Sequence, residues 1–163
     1  MKGILYKYNL HGFFCFLILL FSAINGFAQK GVNVGFSKIE GFEIKSGMEP
    51  VSGMYAQTYS RKAQFDDVFV VKKAPGIKQG KLDFNRFMVI SFSTSKSTTE
   101  TIYKLEKIRK NQGVLEVYFV SSTQNKQMKL AKAAYCLYST AKDESLKGMI
   151  YYLNGKVFQD VQN

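Results

Sequence analysis

The stretch "FMVISF", residues 87–92, has apolar side chains on both of the faces that an extended chain presents. Successive side chains of a strand point to opposite faces, so Met88, Ile90 and Phe92 share one face while Phe87 and Val89 share the other. A strand that is apolar on both faces is typical of a sheet covered on both sides. We therefore predict a central β-strand here.

A run rich in hydroxyl side chains follows this strand. Residues 91–101 read "SFSTSKSTTET", in which Phe92, Lys96 and Glu100 are the exceptions to Ser and Thr. We expect either a solvated loop or a loop that contacts a partner, since loops on a rigid sheet often carry recognition. The β-propensity of Thr leaves a third alternative open, in which strand structure extends further into the run.

Most of the remaining chain also has the pattern of β-strands. "TIYKLEKI" and "VLEVYFV" flank residues 111–113, Asn-Gln-Gly, which tolerate positive φ and favour a β-hairpin. Asn154-Gly155, between "GMIYYL" and "KVFQDV", is the favoured two-residue hairpin turn. Further strands are predicted in "MYAQTY" and "AAYCLYS". The expected fold class is mostly β, with an antiparallel sheet that forms a sandwich or a partly closed barrel.

One short helix is predicted beside the sheet, within residues 60–73. Ser60 is a suitable N-cap, because its hydroxyl can accept a hydrogen bond from a free backbone N–H of the first turn. An apolar stripe at helical spacing follows, formed by Phe65, Val68 and Phe69. The alternative is that residues 70–71, both Val, already begin a strand.

The N-terminal region, residues 1–28, has the three-part pattern of a secretory signal peptide. A basic start precedes the apolar run "FFCFLILLF", and the small residues Gly26 and Ala28 precede the expected cut before Gln29. The run is short for a stable membrane span, although a retained membrane helix is the alternative. We expect an exported chain, periplasmic, surface-associated or secreted, with no stable membrane span after cleavage.

The chain after this region is expected to have two parts. Residues 29–53 are punctuated by glycines and predict a loose segment with at most one short strand. Residues 54–163 predict a single β-rich domain, long enough to build a core without disulfides. Cys136 is the one cysteine left after cleavage, so no intrachain disulfide is expected. It reads as a buried apolar residue, with a reactive thiol as the alternative.

The residue types present exclude several kinds of catalysis. The single histidine, His11, lies in the signal peptide, so the exported chain lacks the imidazole that Ser-His-Asp and Cys-His catalysis require. Zinc sites of His and Cys are excluded for the same reason. Paired carboxylates remain an alternative, with candidates at Asp66, Asp67, Glu100, Glu116, Asp143 and Glu144. We expect a protein that is not an enzyme and that has no cofactor or metal site.

Charge and tyrosine content suggest possible partners. The formal net charge is +11 at pH 7, and the basic residues are dispersed along the chain. Dispersion and export argue against nucleic acid, and the charge favours an acidic protein, an anionic glycan or plain solvation. Tyrosines are frequent in the predicted strands, where they either fill the core and cross-strand pairs or form an exposed row for sugars or proteins.

Residues 54–158 contain several parts in a particular order: a capped helix with an aromatic stripe, "LDF" ahead of the strand "MVISF", a strand that starts near Tyr103, and the return strand "GVLEVYFV". In this order they resemble the C-terminal domain of the PrcB family. In place of the family's Gly-rich loop, which ends in Gly-Gly-Tyr, this chain has "TTETIY". The resemblance implies a non-catalytic accessory module of a protease complex outside the cytoplasm.

These observations lead to one functional hypothesis and one alternative. The hypothesis is an exported, non-enzymatic module that contacts or stabilises an unknown partner protein in the cell envelope. Its candidate contact residues are Lys96, Thr98, Thr99, Tyr103 and Lys104. The alternative is a glycan-binding module that uses faces of Tyr and Lys.

Overall fold

The computed structural model describes residues 31–72 and 82–162. The predicted signal peptide and the exit of the predicted helix at residues 73–81 lie outside the described residues. The elements are β1 Val32–Val34, β2 Phe36–Ile39, β3 Phe42–Ile44, β4 Met54–Tyr59, α1 Lys62–Val68, β5 Phe69–Val71, β6 Phe87–Thr94, β7 Ser97–Asn111, β8 Val114–Lys132, β9 Tyr135–Ala141, β10 Gly148–Leu153 and β11 Lys156–Gln162.

The strand β6 is central, as the sequence predicts. It lies between β9 and β4 in a four-stranded antiparallel sheet of order β2-β9-β6-β4, which we call the inner sheet. Residues 88–94 are all buried. Met88, Ile90 and Phe92 belong to one hydrophobic cluster, and Val89 belongs to another. Each face of β6 therefore contributes to a separate core.

The larger core lies between the inner sheet and a second sheet of order β1-β7-β8-β10-β11, the outer sheet. Leu115, Val117 and Phe119 alternate along β8 and enter this core, where the Phe92 and Phe119 rings lie 5.0 Å apart between centroids. Sheets stacked in this way bury the alternate residues of both inner faces. The fold is thus a mostly β sandwich without a closed barrel.

The smaller core covers the opposite face of the inner sheet. It is built by α1 and by the two-stranded sheet of β3 and β5. The ring of Phe65 lies at its centre, stacked on Phe69 at 4.8 Å and in edge contact with Phe42 and Tyr59 at 5.0 and 5.7 Å. Such aromatic pairs add to the stabilisation from buried area alone.

Both predicted hairpin turns are present. Gln112 and Gly113 join β7 to β8 with φ of 50° and 86°, and Asn154 and Gly155 join β10 to β11 with φ of 50° and 78°. Two consecutive residues with positive φ match the right-handed twist of the flanking strands. The pairing of β8 with β10 is parallel, which requires a crossover, and β9 in the inner sheet provides it.

The prediction of a loose segment before residue 54 is wrong for residues 32–44. β1 pairs with β7 in the outer sheet, β2 pairs with β9 in the inner sheet, and β3 pairs with β5. The chain passes between the two sheets at Gly35, whose carbonyl accepts a 2.8 Å hydrogen bond from Thr140 Oγ1. These strands are short and find their partners far along the chain, which local patterning does not reveal.

The predicted helix is shorter than its sequence pattern. α1 begins after Arg61, which is its N-cap residue and makes no side-chain capping bond, so the expected capping by Ser60 is wrong. Phe65 and Phe69 are buried as the stripe predicts, and residues 69–71 form β5, as the alternative held. Pairing with β3 stabilises these residues in an extended conformation. Within the described residues, no helix is long and apolar enough to cross a membrane.

One side chain joins the edges of the two large sheets. Gln159 on β11 accepts a 3.0 Å hydrogen bond from the Ala56 N–H of β4, and its amide nitrogen donates a 2.8 Å bond to the Ala56 carbonyl. These two backbone groups point away from β6, on the edge of the inner sheet. The amide of Gln159 therefore satisfies them as a neighbouring strand would.

Replacing Gln159 with Met should destabilise the fold by about 1–3 kcal/mol, because two part-buried backbone groups lose their partner while side-chain length is kept. Urea unfolding measures the difference. The matched control is Gln162→Ala on the exposed end of the same strand, which should change the free energy of unfolding by less than about 0.5 kcal/mol. Equal losses in the two variants would contradict the bridging role.

Candidate functional site

The two longest strands form a hairpin that extends past the other strands of the outer sheet. β7 has 15 residues and β8 has 19. β1 pairs only with residues 108–110 of β7, and β10 pairs only with residues 114–119 of β8. Residues 97–104 and 120–132 therefore pair only with each other among the described residues. We call this two-stranded segment the ribbon.

The hydroxyl-rich run is strand except for the connection at Ser95 and Lys96, so a loop over the whole run is wrong and the extended-strand alternative is confirmed. Contact of the run with a partner stays a prediction. β6 continues to Thr94, and β7 begins at Ser97. The buried hydroxyls of β6 are satisfied by the neighbouring strand, since Ser91 Oγ donates to the Gln57 carbonyl at 3.3 Å. A Ser or Thr whose hydroxyl has such a hydrogen-bond partner can be buried in a strand. The residue type alone does not show whether that partner exists.

The ribbon is irregular. Ser97 pairs with Lys132, Thr99 with Gln127 and Thr101 with Thr123, so β8 has additional residues in two places. Bulges of this kind increase twist and make a free strand edge a poor template for indiscriminate pairing with other strands. Contacts of the ribbon with a partner should therefore depend on its side chains.

Asn154 fixes the point at which β8 leaves the sheet. Besides adopting the positive φ of its turn, it accepts a 2.9 Å hydrogen bond from the Ser121 N–H through Oδ1. Its Nδ2 donates a 2.8 Å bond to Ser121 Oγ, and its own N–H bonds the Phe119 carbonyl at 3.0 Å. The side chain thus continues the β10 ladder by one residue, at the base of the ribbon.

The inner sheet holds the other end of the ribbon. Thr94 N–H donates to the Ala134 carbonyl at 2.9 Å, and Ala134 N–H donates to Thr94 Oγ1 at 3.2 Å, so the entry to β7 and the exit from β8 are tied together. The Tyr103 ring packs on Phe92 with centroids 4.6 Å apart. Both ends of the ribbon are therefore anchored to a rigid sheet.

A groove of about 370 Å³ lies between the ribbon and the corner of the inner sheet. Its lining combines apolar and polar side chains, including Met54, Thr99, Ile102, Tyr103, Met128 and Lys132. This volume is in the range of small binding clefts. Met54 and Ile102 keep 42% and 39% of their surface exposed, so the apolar part of the groove is open to solvent.

The structure brings together only some of the predicted contact residues. Thr99 and Tyr103 line the groove, although the Tyr103 ring is also used in core packing. Lys96 lies in the short connection between β6 and β7, with its Nζ 3.5 Å from Glu49 Oε1. Thr98 is exposed outside the groove lining. Lys104 follows Tyr103 in the strand, so it points to the opposite face of the ribbon.

Sequence reasoning missed the apolar lining of the groove. Met54 comes from the start of β4, and Met128 comes from the far half of β8, so they meet only through the sheet arrangement. The alternation in "MYAQTY" was the one sequence feature that could have indicated this lining. It places Met54 and Tyr55 on different faces of the strand, but it does not show which face is exposed. Lys132, at the end of β8, entered the sequence analysis only as one of the basic residues dispersed along the chain.

The tyrosines divide between core and surface. Tyr59, Tyr138 and Tyr151 are buried, as the core interpretation holds. Tyr118 and Tyr152 stack on the outer face of the outer sheet at 4.4 Å, and Lys107 Nζ lies 4.4 Å from the Tyr118 centroid. Burial and a hydrogen bond to Glu116 raise the pKa of Tyr118 to about 12. The Tyr118 ring is therefore occupied by Tyr152 and Lys107.

Asp143, one of the candidate acids, is paired with a lysine. The hydrogen bond from Lys110 lowers the pKa of Asp143 to about 2, assisted by Ser145. A general acid requires the opposite shift. Among the described residues, no three His, Cys, Asp or Glu side chains are placed to hold a metal ion. Burial raises the pKa of the Cys136 thiol to about 12, which confirms it as a buried apolar residue.

Comparison of the chain with models of known families, with curated proteins and with solved structures finds no match. The resemblance to the PrcB family stays a prediction.

Replacing Asn154 with Gly should release the base of the ribbon while keeping the turn, because Gly adopts positive φ readily. We expect the Ser121 amide to exchange with deuterium about five- to tenfold faster, since a net hydrogen bond is worth about 1 kcal/mol. Asn154→Asp is the matched control, because it keeps the Oδ1 acceptor of that amide. Unchanged exchange in the Gly variant would contradict the anchoring role.

Asp143→Asn should alter the pH dependence of stability. The folded-state pKa lies below the ordinary value of 3.8, so the pair with Lys110 stabilises the fold above about pH 4 and is lost as pH falls toward about 2. The pair is partly exposed, so we expect a loss of at most about 1 kcal/mol near neutral pH. Urea unfolding across this pH range should show the difference vanish in acid, and a constant difference would contradict the assignment.

Proposed function

We propose that this chain is an exported, non-enzymatic module that binds a partner protein in the cell envelope through the ribbon. The observation that carries the proposal is the geometry of residues 97–104 and 120–132, which project beyond the strands that pair with the rest of β7 and β8. The hydrogen bonds at both ends of the segment hold it in a defined position on the sheets, so only the residues between these two anchors need to be ordered on binding.

The surface of the ribbon supports a protein partner. Ile102 and Leu130 are exposed apolar side chains on it, and Leu130 keeps 74% of its surface in solvent. Its lysines outnumber its single acid, Glu100, and they are Lys104, Lys126, Lys129 and Lys132. Apolar anchors with a charged rim are typical of protein interfaces, where the charges speed association and set specificity.

The resemblance to the PrcB family agrees with an accessory role of this kind outside the cytoplasm. The N-terminal sequence pattern of residues 1–28 supports export, with the periplasm, the cell surface and the medium as possible destinations. The absence of His after cleavage supports a function without acid–base catalysis by imidazole.

Glycan binding through Tyr and Lys is the second candidate, and it has less support. Sugar recognition by stacking requires a free aromatic face. The faces of Tyr118 are in contact with Lys107 and Tyr152, and the Tyr103 ring packs on Phe92. Tyr55 is exposed, but it is a single ring rather than a row, and it lines a hollow with Met48 and Tyr59.

Cross-linking of the native exported protein in its own envelope, followed by mass spectrometry, tests the proposal. We expect links from Lys104 and Lys129 to one partner protein. Changing both residues to Glu should reduce the yield of that partner in co-purification without a cross-linker by about tenfold, because charge reversal at an interface costs more than about 1 kcal/mol.

The control changes two exposed lysines outside the ribbon, Lys72→Glu with Lys147→Glu, and should leave the yield unchanged. Links distributed evenly over all lysines, with the same yield in both double variants, would contradict the proposal.

A further inference from the structure

We propose that a hollow at one end of the smaller core binds a small, uncharged molecule built on one aromatic ring. The hollow has a volume of about 240 Å³ and is lined by residues of the loop 45–53, of β4, β5 and β6, and of the ends of β3 and α1. Three observations carry the inference: a small buried side chain that leaves the space, an aromatic lining without charge, and an amide donor without a partner. The inference goes beyond the proposed function, which concerns the ribbon.

The hollow lies where a serine occupies a buried position on the face of the inner sheet that carries the smaller core. Val89 of β6 pairs with Tyr59 of β4 on this face, and both enter the smaller core. Four residues later in β6, Ser93 is on the same face and pairs with Tyr55. Ser93 keeps 8% of its surface exposed and lines the hollow. Its small side chain therefore leaves space where a large apolar one would fill the core.

The lining of the hollow is aromatic in its buried part and adaptable at its rim. Tyr59 and Phe69 are buried, and their rings lie in edge contact with centroids 5.7 Å apart. Tyr55, Met48 and Met54 line the same space and are exposed to solvent. Aromatic rings pack favourably against other rings and against methionine sulfur. An aromatic guest should therefore gain more here than an aliphatic guest of equal size.

The lining also selects against charge. Among the described residues that line the hollow, none carries a charge near neutral pH. The groove beside the ribbon differs, since its lining includes Glu100 and Lys132. A charged guest in the hollow would lose water without gaining an ion pair, which is unfavourable. The guest should therefore be uncharged.

One polar side chain in the lining can orient the guest. The hydroxyl of Tyr59 donates a 3.1 Å hydrogen bond to Gln57 Oε1. Gln57 Nε2 donates to no group within the part of the chain that the structure describes. A carbonyl or hydroxyl oxygen on the ring can accept a hydrogen bond from it. Small-molecule sites commonly combine an apolar lining with a few such polar groups.

The loop that forms one wall of the hollow is held at both ends. The Lys45 N–H donates a 2.9 Å hydrogen bond to the Val68 carbonyl, and the Ser95 N–H donates a 2.9 Å bond to the Gly53 carbonyl. The wall is therefore in place before a guest arrives, as is usual for small-molecule sites.

The volume and the position of the hollow favour a free molecule over a side chain of the partner protein. An apolar cavity of about 150 Å³ accommodates benzene, so about 240 Å³ has room for one ring with a short substituent. No residue of the ribbon is part of the described lining. A partner that binds the ribbon therefore does not need to reach the hollow.

Titration of the isotope-labelled exported chain, residues 29–163, with acetophenone tests the inference by NMR. Acetophenone carries one ring and one carbonyl acceptor, and we expect it to shift the amide signals of Gln57, Phe69 and Ser93. Three probes of similar size each lack one feature. Benzoate is charged and should bind at least about tenfold more weakly. Cyclohexyl methyl ketone lacks the aromatic ring and ethylbenzene lacks the acceptor, so each should bind about threefold more weakly.

Filling the hollow should abolish binding. Ser93→Leu places a large side chain in the space and should weaken acetophenone binding by at least about tenfold. Ser139→Leu is the matched control, because Ser139 pairs with Val89 on the same sheet face but lies outside the lining. Tyr55→Ala removes a ring at an exposed position, where folding tolerates the change, and should weaken binding about fivefold.

Several results would overturn the inference: no amide shifts at the hollow, benzoate binding as tightly as acetophenone, or equal effects of Ser93→Leu and Ser139→Leu. If acetophenone does not bind and Ser93→Leu instead loses the native cross-linked partner, the hollow receives a side chain of that partner, and the inference is also overturned. The double variant Lys104→Glu with Lys129→Glu should bind acetophenone as the parent does. Failure of the proposed function is thereby distinguishable from failure of this inference.

Discussion

The burial of β6 on both faces is the constraint on which the rest of the structure depends. A strand whose every side chain from residue 88 to 94 is buried requires a layer on each side. The outer sheet supplies one layer, and α1 with β3 and β5 supplies the other. β6 and β9 are also the strands that connect directly to the ribbon, so the covered sheet that stabilises the fold also holds the candidate site in place.

The parts of the fold that the sequence predicted are those determined by local chemistry. Two-sided apolar patterning identified the central strand, because that pattern has no favourable place at a solvated edge. Asn154-Gly155 and Gln112-Gly113 identified their hairpins, because few residue types tolerate positive φ. The burial of Phe65 and Phe69 likewise follows from the spacing of apolar residues.

The parts that were missed depend on partners distant in sequence. The strands of residues 32–44 are three or four residues long, and each is stabilised by a different, distant strand. The hydroxyl-rich run is strand because its neighbours accept hydrogen bonds from Ser91 and Thr94. In the candidate site, Thr99 and Tyr103 were identified near the groove, whereas Met54 and Met128 meet there only after the sheets assemble. The sequence analysis named both Lys104 and Tyr103 as contact residues. They are adjacent in β7, so their side chains point to opposite faces of the ribbon.

Amide hydrogen exchange over residues 29–163 tests the central claim that a doubly covered sheet carries a locally less protected ribbon. We expect the slowest exchange at residues 88–93 of β6, limited by global unfolding. Residues 97–101 and 123–132 of the ribbon should exchange at least about a hundredfold faster, because they have few buried contacts and, among the described residues, no further strand beside them. Equal protection of ribbon and β6, or faster exchange at β6, would contradict the account.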